Sequence, residues 1–190
     1  MNDQMNDRQT RHGDWMQTST GKKFWPLDPR PEEVFIEDIA QALSKICRFG
    51  GHCKAFYSVA QHSCHVSDIV CGDRDVRRWG LLHDAAEAYV GDMIKPLKRF
   101  VNGFSGIESK ILSAISARFG LCKKAPEAVE IADEKMLNAE ALAVMGDSSH
   151  TKEWAHAECA ASIHIKPWTS SHAYREFIER FAVLFPEESI

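Results

Sequence analysis

Apolar residues recur at helical spacing along most of the chain, and turn-forming residues separate the runs. Helices are predicted from near Pro31 to before Gly50 and over residues 58–71, 75–89, 106–119, 126–145, 150–163 and 172–184. Pro26 to Pro31 form a stiff, proline-rich lead-in to the first of them. No series of alternating strands is present. The pattern therefore predicts an all-α fold in one helical bundle.

The N-terminal segment has a different pattern. Residues 1–14 are polar and lack periodicity, which is typical of a mobile tail. Residues 15–25 place two aromatic-containing flanks around Ser19-Thr20-Gly21, which predicts a small β-hairpin. The predicted domain organisation is thus a tail over 1–14 and one domain over 15–190.

Composition narrows the class of protein. The chain has 190 residues, with 44% hydrophobic and 26% charged residues and a formal net charge of −4, as expected for one soluble globular domain. The acidic balance argues against a partner that is a nucleic-acid polymer. The six cysteines lack a C-x-x-C pair and are expected to be reduced thiols. No signal peptide or transmembrane run is evident, so a cytoplasmic location without membrane attachment is expected.

An adjacent histidine and aspartate, His83-Asp84, lie within an otherwise apolar helix pattern, LLHDAAEAYV. Burying a charged carboxylate is costly unless it is paired or bound to metal. A divalent cation would neutralise the carboxylate and accept the imidazole nitrogen as a ligand. The pair therefore indicates a candidate metal site, although each residue taken alone is more often structural.

Further ligands are available on neighbouring predicted helices. His62 and His65 lie three positions apart and compete for one ligand position, and Asp133 follows in an apolar pattern downstream. Ligands from three helices meeting at one centre are a common way for helical bundles to build metal sites. The residues alone also allow a core without metal, in which His83 and Asp84 are hydrogen-bonded.

The ordered pattern His62, His83-Asp84 and Asp133 resembles the H…HD…D signature of the HD-domain superfamily of metal-dependent phosphohydrolases. Residues 81–98 and 48–63 are similar to segments of bacterial HD-domain 5′-deoxynucleotidases and of phage-type HD deoxynucleoside triphosphohydrolases. The resemblance covers roughly residues 34–145. It implies an all-helical domain, and it favours His62 over His65.

The resemblance also implies a role for individual residues. It assigns the metal to His62, His83, Asp84 and Asp133, the attacking water to Glu87, the leaving group to Asp92 and phosphate binding to Arg48. Phe49 takes the place of an aromatic residue, commonly Trp, that contacts the sugar. Lys95 and Lys98 flank Pro96 and are expected to neutralise phosphate charge.

Hydrolysis of a deoxyribonucleoside 5′-monophosphate is the function expected first. The alternatives are a deoxynucleoside triphosphate triphosphohydrolase and a non-catalytic, metal-binding nucleotide sensor. The expected cofactor is a divalent ion such as Mn, Co, Mg, Zn, Ni or Fe, whose identity the sequence leaves open. A homo-oligomer, most simply a dimer, is expected by resemblance.

Overall fold

The computed structural model describes residues 11–145 and 149–188, and these are mostly helical. The helices are α1 (Ile36–Leu43), α2 (Val59–Ile69), α3 (Arg74–Leu82), α4 (Glu87–Val90), α5 (Lys95–Lys98), α6 (Phe104–Arg118), α7 (Glu127–Val144), α8 (Ser149–Lys152) and α9 (Ser170–Leu184). Strands β1 (Met16–Gln17) and β2 (Lys23–Phe24) form a two-stranded antiparallel sheet. The predicted all-α class with a small N-terminal hairpin is confirmed.

The hairpin turns where the sequence predicts it. The amide of Thr18 donates to the carbonyl of Lys22 over 2.8 Å, which closes the turn around Gly21. Residues 1–10 of the predicted tail lie outside the described residues. Arg11, also within that predicted tail, forms ion pairs of 2.6 Å with both Asp28 and Glu33. The sequence contains no signal that would have predicted this anchorage.

The main hydrophobic core is built from α1, α2, α3, α4, α6 and α9. Phe177 and Phe181 of α9 are fully buried in it. A second, smaller cluster packs α7 against α2 and α3 through Trp79, Val129 and Met136, among others. The two cores share α2 and α3, so these two helices hold the two parts of the bundle together.

Side-chain caps explain why several helices begin where they do. The hydroxyl of Ser58 accepts from the amide of Gln61 at the start of α2, as predicted. Asp73 accepts from two amides at the start of α3, and Thr169 accepts from the amide of His172 at the start of α9. These caps satisfy backbone donors that have no partner within the helix.

Three predicted helices are shorter than expected. The segment from Pro31 is a 3₁₀ turn followed by α1, and residues 150–163 contain only part of α8 and a 3₁₀ turn at Ala157–Cys159. The predicted helix over 75–89 is interrupted at residues 83–86. There the backbone forms hydrogen bonds between residues three positions apart, such as the bond of 3.0 Å from the amide of Ala85 to the carbonyl of Leu82. Conversely, α5 forms between the helices predicted over 75–89 and 106–119, where the sequence predicts no helix.

All six cysteines are free thiols, as predicted. Over residues 11–145 and 149–188, no helix combines the length and the apolar character that crossing a membrane requires.

Helices α2 and α3 approach each other closely at Gly80. A Cβ atom at this position would lie 2.9 Å from Cα of Ser67, well inside van der Waals contact. Because the obstructing atom belongs to the backbone, a side chain here would force the two helices apart. The glycine therefore sets the distance between the elements that carry His62 and His83.

Gly80→Ala is expected to destabilise the fold. Overpacking of this kind costs about 1–3 kcal/mol, and the better helix propensity of alanine offsets up to about 1 kcal/mol of it. The matched control is Gly106→Ala in α6, where an added Cβ meets nothing within 4 Å and stability should rise slightly. Urea denaturation measures both, and equal effects would contradict the close approach at Gly80.

Candidate metal centre and adjoining cavity

Three helical segments bring two imidazoles and a carboxylate to one point. His62 lies on α2, His83 directly follows α3 and Asp133 lies on α7. One ligand atom from each residue lies within 4.8 Å of the other two. Nε2 of His62 is 3.2 Å from Nε2 of His83 and 3.1 Å from Oδ1 of Asp133. The group could hold a metal ion.

The fourth predicted ligand borders the same centre. Oδ2 of Asp84 lies 3.5 Å from Nε2 of His62 and 3.3 Å from Nε2 of His83. The same oxygen is also 3.6 Å from Nη1 of Arg48. Asp84 is thus shared between the candidate centre and a guanidinium group.

The other nitrogen of each imidazole is already engaged. Nδ1 of His83 lies 2.8 Å from the carbonyl of Gly80, which can only accept, so this nitrogen carries the proton. Nδ1 of His62 lies 2.7 Å from Oε1 of Glu140. Partners of this kind fix the orientation of metal-binding histidines and direct Nε2 at the ion. Because Nε2 of His62 and Nε2 of His83 lie 3.2 Å apart, either a proton or a cation must lie between them.

Electrostatics point to the same requirement. Burial lowers the pKa of His62 and so does Arg48, but Glu140 and Asp133 outweigh them and raise it to about 9. Burial raises the pKa of Asp133, but its contact with His62 holds it well below its usual range. The anionic surroundings thus place a proton on the ring. A divalent cation would supply positive charge to the same nitrogen and oxygen atoms, which suit Mn, Fe, Co, Ni and Zn.

His65 lies away from the candidate centre. Its ring packs against that of Trp168 with centroids 5.0 Å apart, and its Nε2 lies 3.3 Å from Nε2 of Gln61. Burial lowers its pKa. The structure therefore places His62, and not His65, among the potential ligands.

Glu140 is a residue of the site that the sequence reasoning missed. It is fully buried, and its Oε1 accepts from the hydroxyl of Tyr57 at 2.8 Å as well as facing His62. Its Oε2 lies 3.0 Å from Nε of Arg48, although the atoms are not aligned as a hydrogen bond. A possible signal is its position on α7 about two turns after Asp133, on the same helix face.

A cavity of about 330 Å³ opens beside the centre. It is lined by His83, Asp84, Ala86, Glu87, Lys98, Ser105, Glu108, Ser109 and Leu112. The predicted catalytic residue Glu87 is thus on the wall that also carries two potential metal ligands.

Both predicted catalytic carboxyl groups bind protons more readily than usual. Burial, reinforced by Asp84 and Asp92, raises the pKa of Glu87 well above its ordinary value. Burial also raises the pKa of Asp92, although the Arg48 charge opposes it. Among the described residues, Oε2 of Glu87 is buried with no hydrogen-bond partner. Glu87 thus combines a perturbed pKa, an unpartnered oxygen and a place in the cavity wall, a combination that is typical of functional sites.

The residues predicted to bind the substrate differ in their burial and in the groups they contact. Arg48 is buried, and Phe49 places its ring centroid 5.5 Å from the guanidinium carbon. Phe49 adopts a φ of 57°, which is strained for a bulky residue and is a feature of functional loops. Lys95 is exposed, with Nζ 3.9 Å from Oδ2 of Asp133. Lys98 lines the cavity and pairs with Glu108 over 2.8 Å.

Comparison with known proteins finds two relatives and no matching family model. The chain is 35% identical over 168 residues to the uncharacterized protein YfdR of Escherichia coli strain K12. The aligned residues cover 88% of this chain and 93% of YfdR. It is 34% identical over 146 residues to an uncharacterized protein of Rhodobacter capsulatus, covering 70% of this chain and 74% of the relative.

Proposed function

We propose, from the premise that this chain belongs to the family of YfdR, that it is a divalent-metal-dependent phosphohydrolase of the HD-domain type. Its favoured substrate is a deoxyribonucleoside 5′-monophosphate, which it would hydrolyse to the deoxynucleoside and orthophosphate. The observation that carries the proposal is the meeting of His62, His83 and Asp133 beside a cavity that is also lined by Glu87.

The ligand chemistry fits a divalent ion, with Asp84 available as a fourth donor. An ion bound there would act as a Lewis acid toward a phosphoryl oxygen and would lower the pKa of water. The remaining roles belong to the protein. Arg48 supplies a planar, permanently charged guanidinium of the kind that binds phosphate oxygens. It lies 3.6 Å from Asp84, so phosphate and ion would be held side by side.

Two carboxyl groups with raised pKa values can divide the proton transfers. Glu87, in the cavity wall, would orient the attacking water and accept its proton. Asp92, whose pKa is raised by burial, would carry a proton to the leaving oxygen of the nucleoside. Water adds to phosphorus, the P–O bond to the nucleoside breaks, and the transferred proton completes the new hydroxyl group.

A second candidate is a deoxynucleoside triphosphate triphosphohydrolase. The observation that favours it is the pair of cations on α5, since Lys95 is exposed 3.9 Å from Asp133 and Lys98 lines the cavity. A longer phosphate chain would bring more negative charge to these amines. A metal-binding nucleotide sensor without turnover is the remaining alternative.

The test is product release from deoxy- and ribonucleoside mono- and triphosphates, with Mn²⁺, Co²⁺ or Mg²⁺, before and after treatment with EDTA. Orthophosphate from deoxymonophosphates, lost with EDTA and restored by metal, is the expected result. Release of triphosphate would favour the second candidate. A nucleotide-dependent rise in Tm without any product would favour the sensor. Failure of the protein to bind any of these ions would overturn the metal centre itself.

A further inference from the structure

The buried carboxylate of Glu140 contacts both halves of the proposed site. Oε1 faces Nδ1 of His62 at 2.7 Å, and Oε2 faces Nε of Arg48 at 3.0 Å. Tyr57 fixes the carboxylate by donating its hydroxyl to Oε1 at 2.8 Å. The oxygens of Glu140 thus face a permanently charged guanidinium, an imidazole and a phenol hydroxyl, and these partners suit the anionic form of a carboxylate.

Arg48 lies between two carboxylates that compete for it. Its Nε is 3.0 Å from Oε2 of Glu140, and its Nη1 is 3.6 Å from Oδ2 of Asp84. The guanidinium is buried and cannot be deprotonated, so it needs an anionic partner within reach. Without the charge of Glu140, Asp84 would be the nearer remaining partner. That carboxylate belongs to the proposed ligand set.

We propose that Glu140 is a positioning residue that holds Arg48 away from Asp84 while it orients His62. One carboxylate thus keeps the guanidinium available for phosphate and keeps two ligands available for the ion. This inference rests on the proposed metal centre, but it is independent of which phosphorylated substrate is hydrolysed.

The central variant is Glu140→Gln, which keeps the shape of the side chain and removes its charge. Loss of an outer partner of a metal-binding histidine lowers metal affinity about 10- to 100-fold. Here the weakening has a second cause, because Arg48 would pair with Asp84. Titration with Co²⁺ alone, followed by visible absorption and calorimetry, measures the affinity without any substrate.

A double-mutant cycle separates the restraint of Arg48 from the orientation of His62. Arg48→Gln alone is expected to bind Co²⁺ at least as tightly as the wild type, because Asp84 loses a competitor. Adding Arg48→Gln to Glu140→Gln is expected to recover part of the lost affinity. The double variant also leaves no unpaired buried charge, so it remains informative if Glu140→Gln alone does not fold.

Tyr57→Phe is the matched control, since it removes one hydrogen bond to Glu140 and leaves the charge. Its Co²⁺ affinity should stay within a few-fold of the wild type. The inference is overturned if Glu140→Gln binds Co²⁺ like the wild type, if the double variant binds no better than Glu140→Gln, or if Arg48→Gln alone binds more weakly. If the wild type itself binds no Co²⁺, the proposed metal-dependent function is overturned. If the wild type is active and the variants give any of the three contrary results, only the positioning role of Glu140 is overturned.

Discussion

Asp133→Asn is expected to lower metal-dependent kcat/KM by more than about 100-fold. Losing a residue that only supports a metal ligand already costs up to about 100-fold, so losing a ligand itself should cost more. The amide keeps the shape of the side chain but loses the charge that lies 3.1 Å from Nε2 of His62. Phosphate release at nucleotide concentrations well below KM, with increasing Mn²⁺, measures the loss.

The same variant has a readout that does not depend on turnover. An ion that binds only the native state raises Tm, and the rise grows with the logarithm of the ratio of ion concentration to Kd once that ratio is well above one. Co²⁺ should therefore raise the Tm of the wild type and leave that of Asp133→Asn nearly unchanged. Glu134→Gln is the control, because Glu134 is the exposed neighbour of Asp133 on α7. An Asp133→Asn protein stabilised by Co²⁺ as strongly as the wild type would remove Asp133 from the ligand set.

Glu87→Gln is expected to reduce kcat about 10²- to 10⁴-fold, the usual contribution of a positioned acid or base. Glutamine keeps the shape of the side chain and removes only the carboxylate that would accept the proton of water, and Glu87 is not among the potential metal ligands. The fold and the Co²⁺ affinity should therefore persist. Parallel measurement of kcat and of Co²⁺ binding separates catalysis from metal loss.

The comparison for Glu87→Gln is Glu130→Gln, which changes an exposed glutamate outside the cavity and should keep wild-type activity. If Glu87→Gln turned over substrate like Glu130→Gln, Glu87 would have no part in proton transfer. Asp92 would then be the remaining acid of the pair.

Much of the fold could be predicted because local signals determine it. The hairpin around Ser19-Thr20-Gly21 and the start of α2 at Ser58 depend on turn and capping chemistry within a few residues. The interruption at residues 83–86 could not be predicted, because the apolar pattern continues through it. A change from helical to tighter backbone bonds leaves the spacing of buried residues almost unchanged.

The residues of the candidate site likewise divide into those that the sequence could predict and one that it could not. His62, His83, Asp84 and Asp133 were predicted from their order in the chain, and the structure brings them together. Glu140 was missed because a single glutamate between two alanines, Ala139 and Ala141, has the composition of an ordinary surface turn of helix. Its burial depends on Tyr57 and Arg48, which are distant in sequence, and only the tertiary fold reveals that contact.

The division of ligands between helices has a consequence for how the folded bundle is held together. His62 and His83 lie on either side of the close approach at Gly80, whereas Asp133 comes from α7, which packs mainly in the smaller cluster. An ion that joins them would act as a removable cross-link between distant parts of the polypeptide. Because the ion binds only the native state, it would stabilise that state by its binding free energy and would leave the unfolded chain unrestricted. Loading with metal would then also decide how tightly α7 is tied to the rest of the bundle.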